Sequence, residues 1–195
     1  MTELKARLRP LAPLALFTSL ACILPAAHAV EYKTVALDKS KLTFNYKQMG
    51  VALDGQFKKF TPQLSFDPAK ATTGKASIEI DLASVDAGSS ETDDEVVGKS
   101  WFNVKSFPKA TFVSTSIKPA GPNQFEVTGK LTLKGQTRDV AFVLKHTPQG
   151  PNGVLSGGLV IHRGDFSIGE GPWAKFDVVA NDIQINFQLT AQPGK

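Results

Sequence analysis

Ala76-Ser77-Ile78-Glu79-Ile80-Asp81-Leu82 alternates small or apolar residues with polar ones at every position. A period of two sends successive side chains to opposite faces of an extended chain, so this segment is a half-buried β-strand with Ile78, Ile80 and Leu82 on its apolar face. The pattern continues in both directions. Leu42-Thr43-Phe44-Asn45-Tyr46 carries it upstream, and residues 125–133 and 182–189 carry it downstream. These runs are rich in Val, Ile, Thr and Phe and are bounded by Gly, Pro, Asn and Asp, as antiparallel strands with one buried face require. Lys134-Gly135-Gln136 joins the strand ending at Leu133 to Val140-Ala141-Phe142-Val143-Leu144 and predicts a hairpin. Residues 119–123 and 148–153 read as further turns.

Alternation lapses between Gly88 and Pro108. There Ser90-Glu91-Thr92-Asp93 offers an N-cap with an acidic third residue, which predicts one short helix before Gly98 in a long inter-strand loop. Acidic residues suit the positive end of a helix dipole. Asp93, Asp94 and Glu95 lack the spaced ligands and turning glycine of a cation cage, so they read as capping residues and no metal site is expected. About eight amphipathic antiparallel strands must each bury one face, in a sandwich or a closed barrel. Periodicity alone leaves both open. A barrel of that size either fills its interior with side chains or holds one small ligand.

The amino terminus has its own grammar. Lys5, Arg7 and Arg9 precede an apolar stretch from Leu11 to Leu24 and the small-residue run Ala26-Ala27-His28-Ala29, the layout of a secretory signal cleaved after Ala29. The stretch holds Pro13 and is shorter than the ~20 residues a helix needs to cross a bilayer. Residues 1–29 are therefore expected to be removed, leaving residues 30–195 as one exported domain in the periplasm. That removal leaves 19 basic against 17 acidic residues, with lysines scattered singly rather than massed on one face. A nucleic-acid partner is not expected. The only cysteine, Cys22, falls within the signal, so the mature domain has no thiol to oxidise. Leu20-Ala21-Cys22 partly resembles a lipoprotein box, but Ser19 occupies a position that wants a large aliphatic residue, and ordinary cleavage is preferred over lipidation.

Chemistry-bearing residues are sparse. His146 and His162 remain once His28 is removed, and no nucleophile elbow, paired-histidine metal motif or glycine-rich phosphate loop accompanies them. The chain reads as a binding protein with no cofactor rather than an enzyme. Arg163-Gly164-Asp165 follows the apparent strand Leu159-Val160-Ile161 and reads as a strand-end arginine paired with Asp165 or Glu170, able also to contact a polar ligand group. Thirteen Phe stand against two Tyr and two Trp, which supplies bulk without hydrogen bonding. Phe44, Phe112, Phe142 and Phe187 either fill a solid core or line a channel for a hydrocarbon.

Several blocks occur in a telling order. They are residues 40–44, 55–60 and 64–68; Ile80-Asp81-Leu82-Ala83-Ser84-Val85; Trp101-Phe102-Asn103 with residues 107–114; residues 129–140; Arg163-Gly164-Asp165-Phe166-Ser167-Ile168-Gly169; and residues 177–189. Together they span nearly all of residues 30–195 and resemble the YceI-like family of periplasmic polyisoprenoid-binding proteins. The resemblance implies an all-β, antiparallel, eight-stranded lipocalin-like barrel that sequesters an isoprenoid or other long-chain lipid, polyprenyl or ubiquinone-like. A monomer or homodimer in transient contact with a membrane is expected.

On that basis the tunnel is expected to be built from Phe44, Tyr46, Ile78, Ile80, Phe112, Leu131, Leu133, Phe142, Ile183, Ile185 and Phe187, with Met49 beside it. Trp101, Phe102, Phe166 and Trp173 are expected at its mouth, and Arg163 as the polar contact. Many relatives carry a histidine before the glycine of the first hairpin, where this chain has Gln48-Met49-Gly50. Many also carry an Arg-Asp pair and a histidine in the helix, where this chain has Thr92, Asp93 and Glu95. Carboxylates there would repel an anion, which moves the expected head group from a pyrophosphate toward a neutral quinone. Two rival readings are a lipid- or quinone-modifying enzyme using His162 or Asp165, and a solid-cored partner of a membrane redox or stress system.

Overall fold

A computed structural model describes residues 30–194; the expected signal segment, with Cys22, lies outside them. The alternating runs form strands β1 (Tyr32–Gln48), β2 (Val51–Phe57), β3 (Phe60–Ser65), β4 (Lys75–Asp81), β5 (Val85–Asp86), β6 (Lys109–Gly121), β7 (Gln124–Leu133), β8 (Gln136–Gln149), β9 (Asn152–His162) and β10 (Asp182–Pro193). All neighbours are antiparallel, in the order β3-β4-β6-β7-β8-β9-β10-β1-β2-β5.

The two ends of that order are joined by covalent chain. β3 follows β2 after Lys58 and Lys59, and β5 follows β4 after Leu82–Ser84. Three peptide links reach about 11 Å, whereas the outer strands of a flat ten-stranded sheet would stand about 43 Å apart. The sheet must curl until its ends meet. Lys58 N–H donates to Ser84 O at 3.0 Å, Asp81 N–H to Lys59 O at 3.0 Å, and Tyr32 and Phe66 exchange bonds of 2.8 and 3.0 Å across the closure. The architecture is therefore an all-β barrel. The sequence predicts eight strands; hydrogen bonding divides the sheet into ten, with β2–β3 and β4–β5 each a run of chain bent at a short kink.

The β7–β8 hairpin turns on Lys134 and Gly135, at φ of 47° and 74°. Two positive φ values define the primed turn whose twist matches its strands, and the expected hairpin is present. Helix α1 (Ser90–Val96) is capped one residue earlier than the sequence predicts. Ser89 is the residue with extended backbone, and its Oγ accepts from Thr92 N–H at 3.2 Å. Asp93 instead accepts from Ala87 N–H at 2.6 Å and ties the helix to the chain leaving β5.

Two features of the wall position the site. Pairing of β8 with β9 runs only from Leu144↔Gly157 to Gln149↔Asn152, so residues 136–143 of β8 and 158–162 of β9 diverge. The turn at Arg163–Phe166 fills that wedge, with the Arg138 guanidinium 6.0 Å from the Phe166 ring centre. Inside, apolar side chains separate into two clusters. One surrounds Leu42, Phe44, Phe57, Leu82 and Trp101. The other packs Tyr32, Phe66, Ile117, Phe125, Val127, Leu144 and Leu155 into a solid base, with Phe66 and Phe125 edge to face at 5.0 Å.

Candidate ligand-binding cavity

The barrel interior is not filled. It encloses a cavity of about 470 Å³, within the range of small-molecule sites. Inward positions of the strands supply its wall: Phe44 and Tyr46 from β1, Ile78 and Ile80 from β4, Phe112 from β6, Leu131 and Leu133 from β7, Phe142 from β8, and Ile183, Ile185 and Phe187 from β10. Trp101, Phe102 and Trp173 line it from the loops, with the two indoles 5.6 Å apart. Most of the polar lining gathers near α1, where Gln48, Glu91, Thr92 and Glu95 border the cavity; Gln63 of β3 and Ser77 of β4 add polar groups in the wall. Trp173 Nε1–H donates to Glu95 Oε1 at 2.7 Å and links the 171–173 turn to the helix. The Tyr46 hydroxyl donates to Ala87 O at 3.1 Å. Burial, and secondarily the Asp93 charge, push the Tyr46 phenol above its ordinary pKa and keep it neutral.

Three glycines keep the bore open. Phe44 lies opposite Gly55, Phe187 opposite Gly157, and the Phe112 ring covers Gly129. A methyl group at Gly157 would stand 2.7 Å from Phe187 Cζ, one at Gly129 would stand 2.5 Å from Phe112 Cζ, and one at Gly55 would overlap the Phe44 ring. Each ring is therefore laid against the wall rather than across the lumen.

A barrel with an apolar lumen and these motifs has relatives. Residues 33–191 match the YceI-like domain. The chain belongs to the YceI-like family. Protein YceI of Salmonella agona is 35% identical over 139 residues, 69% of this chain and 71% of that protein. The crystal structure of Burkholderia cenocepacia BcnA superposes with a TM-score of 0.80 at 45% identity, covering 82% of this chain and 100% of that one. A polyisoprenoid binding domain from Saccharophagus degradans gives a TM-score of 0.66 at 17% identity, over 85% of this chain and 99% of that one. That last likeness shows a shared fold.

In this YceI-like chain three expected site residues stand elsewhere or act differently. Met49 occupies the tip of the β1–β2 turn at φ 50°, is 77% exposed, and does not line the cavity. Its type suited an apolar wall, but the turn carries it outward. Phe166 is buried in the β8–β9 wedge, outside the lining. Arg163 borders the cavity yet pairs with neither Asp165 nor Glu170; Glu170 accepts instead from Lys134 Nζ at 2.8 Å. The Arg163 guanidinium donates to the carbonyls of Ile168, Gly169, Trp173, Lys175, Val179 and Ala180 at 2.8–3.3 Å. The Trp101 and Phe176 rings flank it at 5.4 and 4.8 Å. Its donors are spent on folding the 163–181 loop.

Sequence reasoning missed Leu42, Phe57, Val140, Leu159 and Ile161 as lining. Leu42 shares its face with Phe44 and Tyr46, and Val140 with Phe142, so extending the same alternation would have found both. His162 and Asp165 are exposed and lie off the cavity, with His162 Nδ1 2.8 Å from Asp182 Oδ1 on the outer surface.

Proposed function

We propose that this YceI-like chain is a binding protein that sequesters an isoprenoid-tailed lipid in its barrel, in the periplasm, after removal of residues 1–29. The observation that carries the reading is a cavity walled almost wholly by aliphatic and aromatic side chains, with most of its polar lining beside α1. An apolar chain gains about 0.8 kcal/mol for each methylene withdrawn from water, so a matching apolar lumen supplies affinity and a polar end supplies orientation. The likeness to the polyisoprenoid binding domain of Saccharophagus degradans makes polyisoprenoids the first ligand class to offer.

The polar end favours an uncharged head group. Arg163 is the one cationic residue that borders the cavity among the described residues, and its donors are occupied, whereas Glu91 and Glu95 bring carboxylates. At an effective dielectric of about 20, two like charges roughly 4 Å apart repel by about 4 kcal/mol. Gln48 and Thr92 offer hydrogen bonds to a carbonyl or hydroxyl, which suits a quinone or an alcohol better than a pyrophosphate. A cavity of this size supports this reading over a solid-cored interaction protein, and the exposed positions of His162 and Asp165, off the cavity, lend no support to a lipid-modifying role for them. Membrane contact would be transient, as the carrier collects or releases its cargo as a monomer or homodimer.

The test is native mass spectrometry, with lipid extraction, of protein purified from its own periplasm. A bound prenyl lipid with a neutral head is expected. Protein that is repeatedly lipid-free and takes up no offered prenyl lipid would refute the reading.

A further inference from the structure

We infer that Phe142 is a specificity-determining residue that sets the length of apolar chain the cavity accepts; the inference rests on the binding reading above. Phe112, Phe142 and Phe187 form an aromatic bar along the β6–β10 side of the lumen, with ring centres 5.5 Å apart for the first pair and 5.4 Å for the second. All three line the cavity.

The two sides of the bar differ. On the side toward α1, Ile78, Ile80, Leu131, Ile183 and Ile185 point inward yet remain only half-buried, as residues facing free space do. On the other side, Ile117, Val127, Leu144 and Leu155 also border the cavity but are only 2%, 2%, 6% and 2% exposed, so the lumen narrows there. A chain whose head is held beside Gln48 and Thr92 runs down the lumen and meets the bar. The bar and the polar end together fix a span, and a span selects a length.

Phe142 is the adjustable member. Phe112 is seated on Gly129 and Phe187 on Gly157, positions that fix both rings against the wall. Phe142 instead faces Val127 on β7, has no hydrogen-bonded neighbour on β9, and stands between the other two rings with no glycine beneath it. Shrinking it opens the lumen toward Val127 and Leu144, while enlarging it closes the lumen nearer the mouth.

The experiment offers the mature protein a mixture of linear polyprenols of graded length and reads the retained lengths by native mass spectrometry, with melting curves to establish folding. Phe142→Ala should shift the retained distribution to longer chains and Phe142→Trp to shorter ones. Phe142→Leu, a milder change, should lengthen the preference less and replaces the alanine variant should that fail to fold. Folded variants that keep the wild-type length distribution would overturn the assignment while leaving the binding reading intact. Wild-type protein that retains no polyprenol of any length would overturn the binding reading and this inference with it.

Discussion

Arg163 and His146 show how a polar side chain becomes part of a barrel interior. Arg163 is 1% exposed with no carboxylate partner, and six carbonyl oxygens together with two aromatic faces offset the cost of burying its charge. Arg163→Met should leave those carbonyls without donors and loosen the 163–181 loop. A loss of about 3 kcal/mol or more is expected, measured as a lower urea midpoint.

His146 belongs to the solid base. Its Nε2 stands 3.1 Å from the Tyr32 hydroxyl, and its buried Nδ1 has no hydrogen-bond partner among the described residues. Burial pushes its pKa below the ordinary 6.5, so the folded state favours the neutral ring. Above pH 6.5 both states are neutral and the group costs nothing. As pH falls below 6.5 the unfolded chain takes up a proton that the folded chain resists, and stability declines until the folded ring also protonates. Urea midpoints should therefore fall between neutral and mildly acidic pH, and His146→Gln should flatten that part of the slope. A slope unchanged by the substitution would assign the pH dependence to other groups.

At the scale of elements, the inward face of each strand was legible because alternation is a local rule: Ile78, Ile80 and Leu82 on β4 or Ile183, Ile185 and Phe187 on β10 need only the period of two. Closure was not legible. It depends on kinks at Lys58-Lys59 and Leu82–Ser84 that carry no turn signature, and on glycines whose meaning lies across the strand pair. Gly157 is the seat of Phe187 in the barrel. Gly157→Val should collide with that ring and with Val143 O, which a methyl would approach at 2.8 Å. The expected loss is about 1–3 kcal/mol, read as a lower melting temperature, because overpacking forces rings off their rotamers. The displaced role of Arg163 was illegible for a related reason. The carbonyls that absorb its donors come from residues 168–180, a loop with no periodic pattern to predict its path.

At the scale of the whole molecule, the sequence left a filled core and an open lumen equally available, since both present the same phenylalanines on the same faces. Packing decided between them. The base around Phe66 and Phe125 is solid and carries stability, and the half beneath α1 is open and carries the proposed ligand. The central claim is that an apolar chain occupies that open half. Intermolecular nuclear Overhauser effects between a polyprenyl lipid and protein with labelled isoleucine and valine methyls test it most directly. Contacts to Ile78, Ile80, Ile183 and Ile185 are the predicted result. Contacts confined to the exposed Val113 and Val160 would place the lipid outside the barrel and contradict the account.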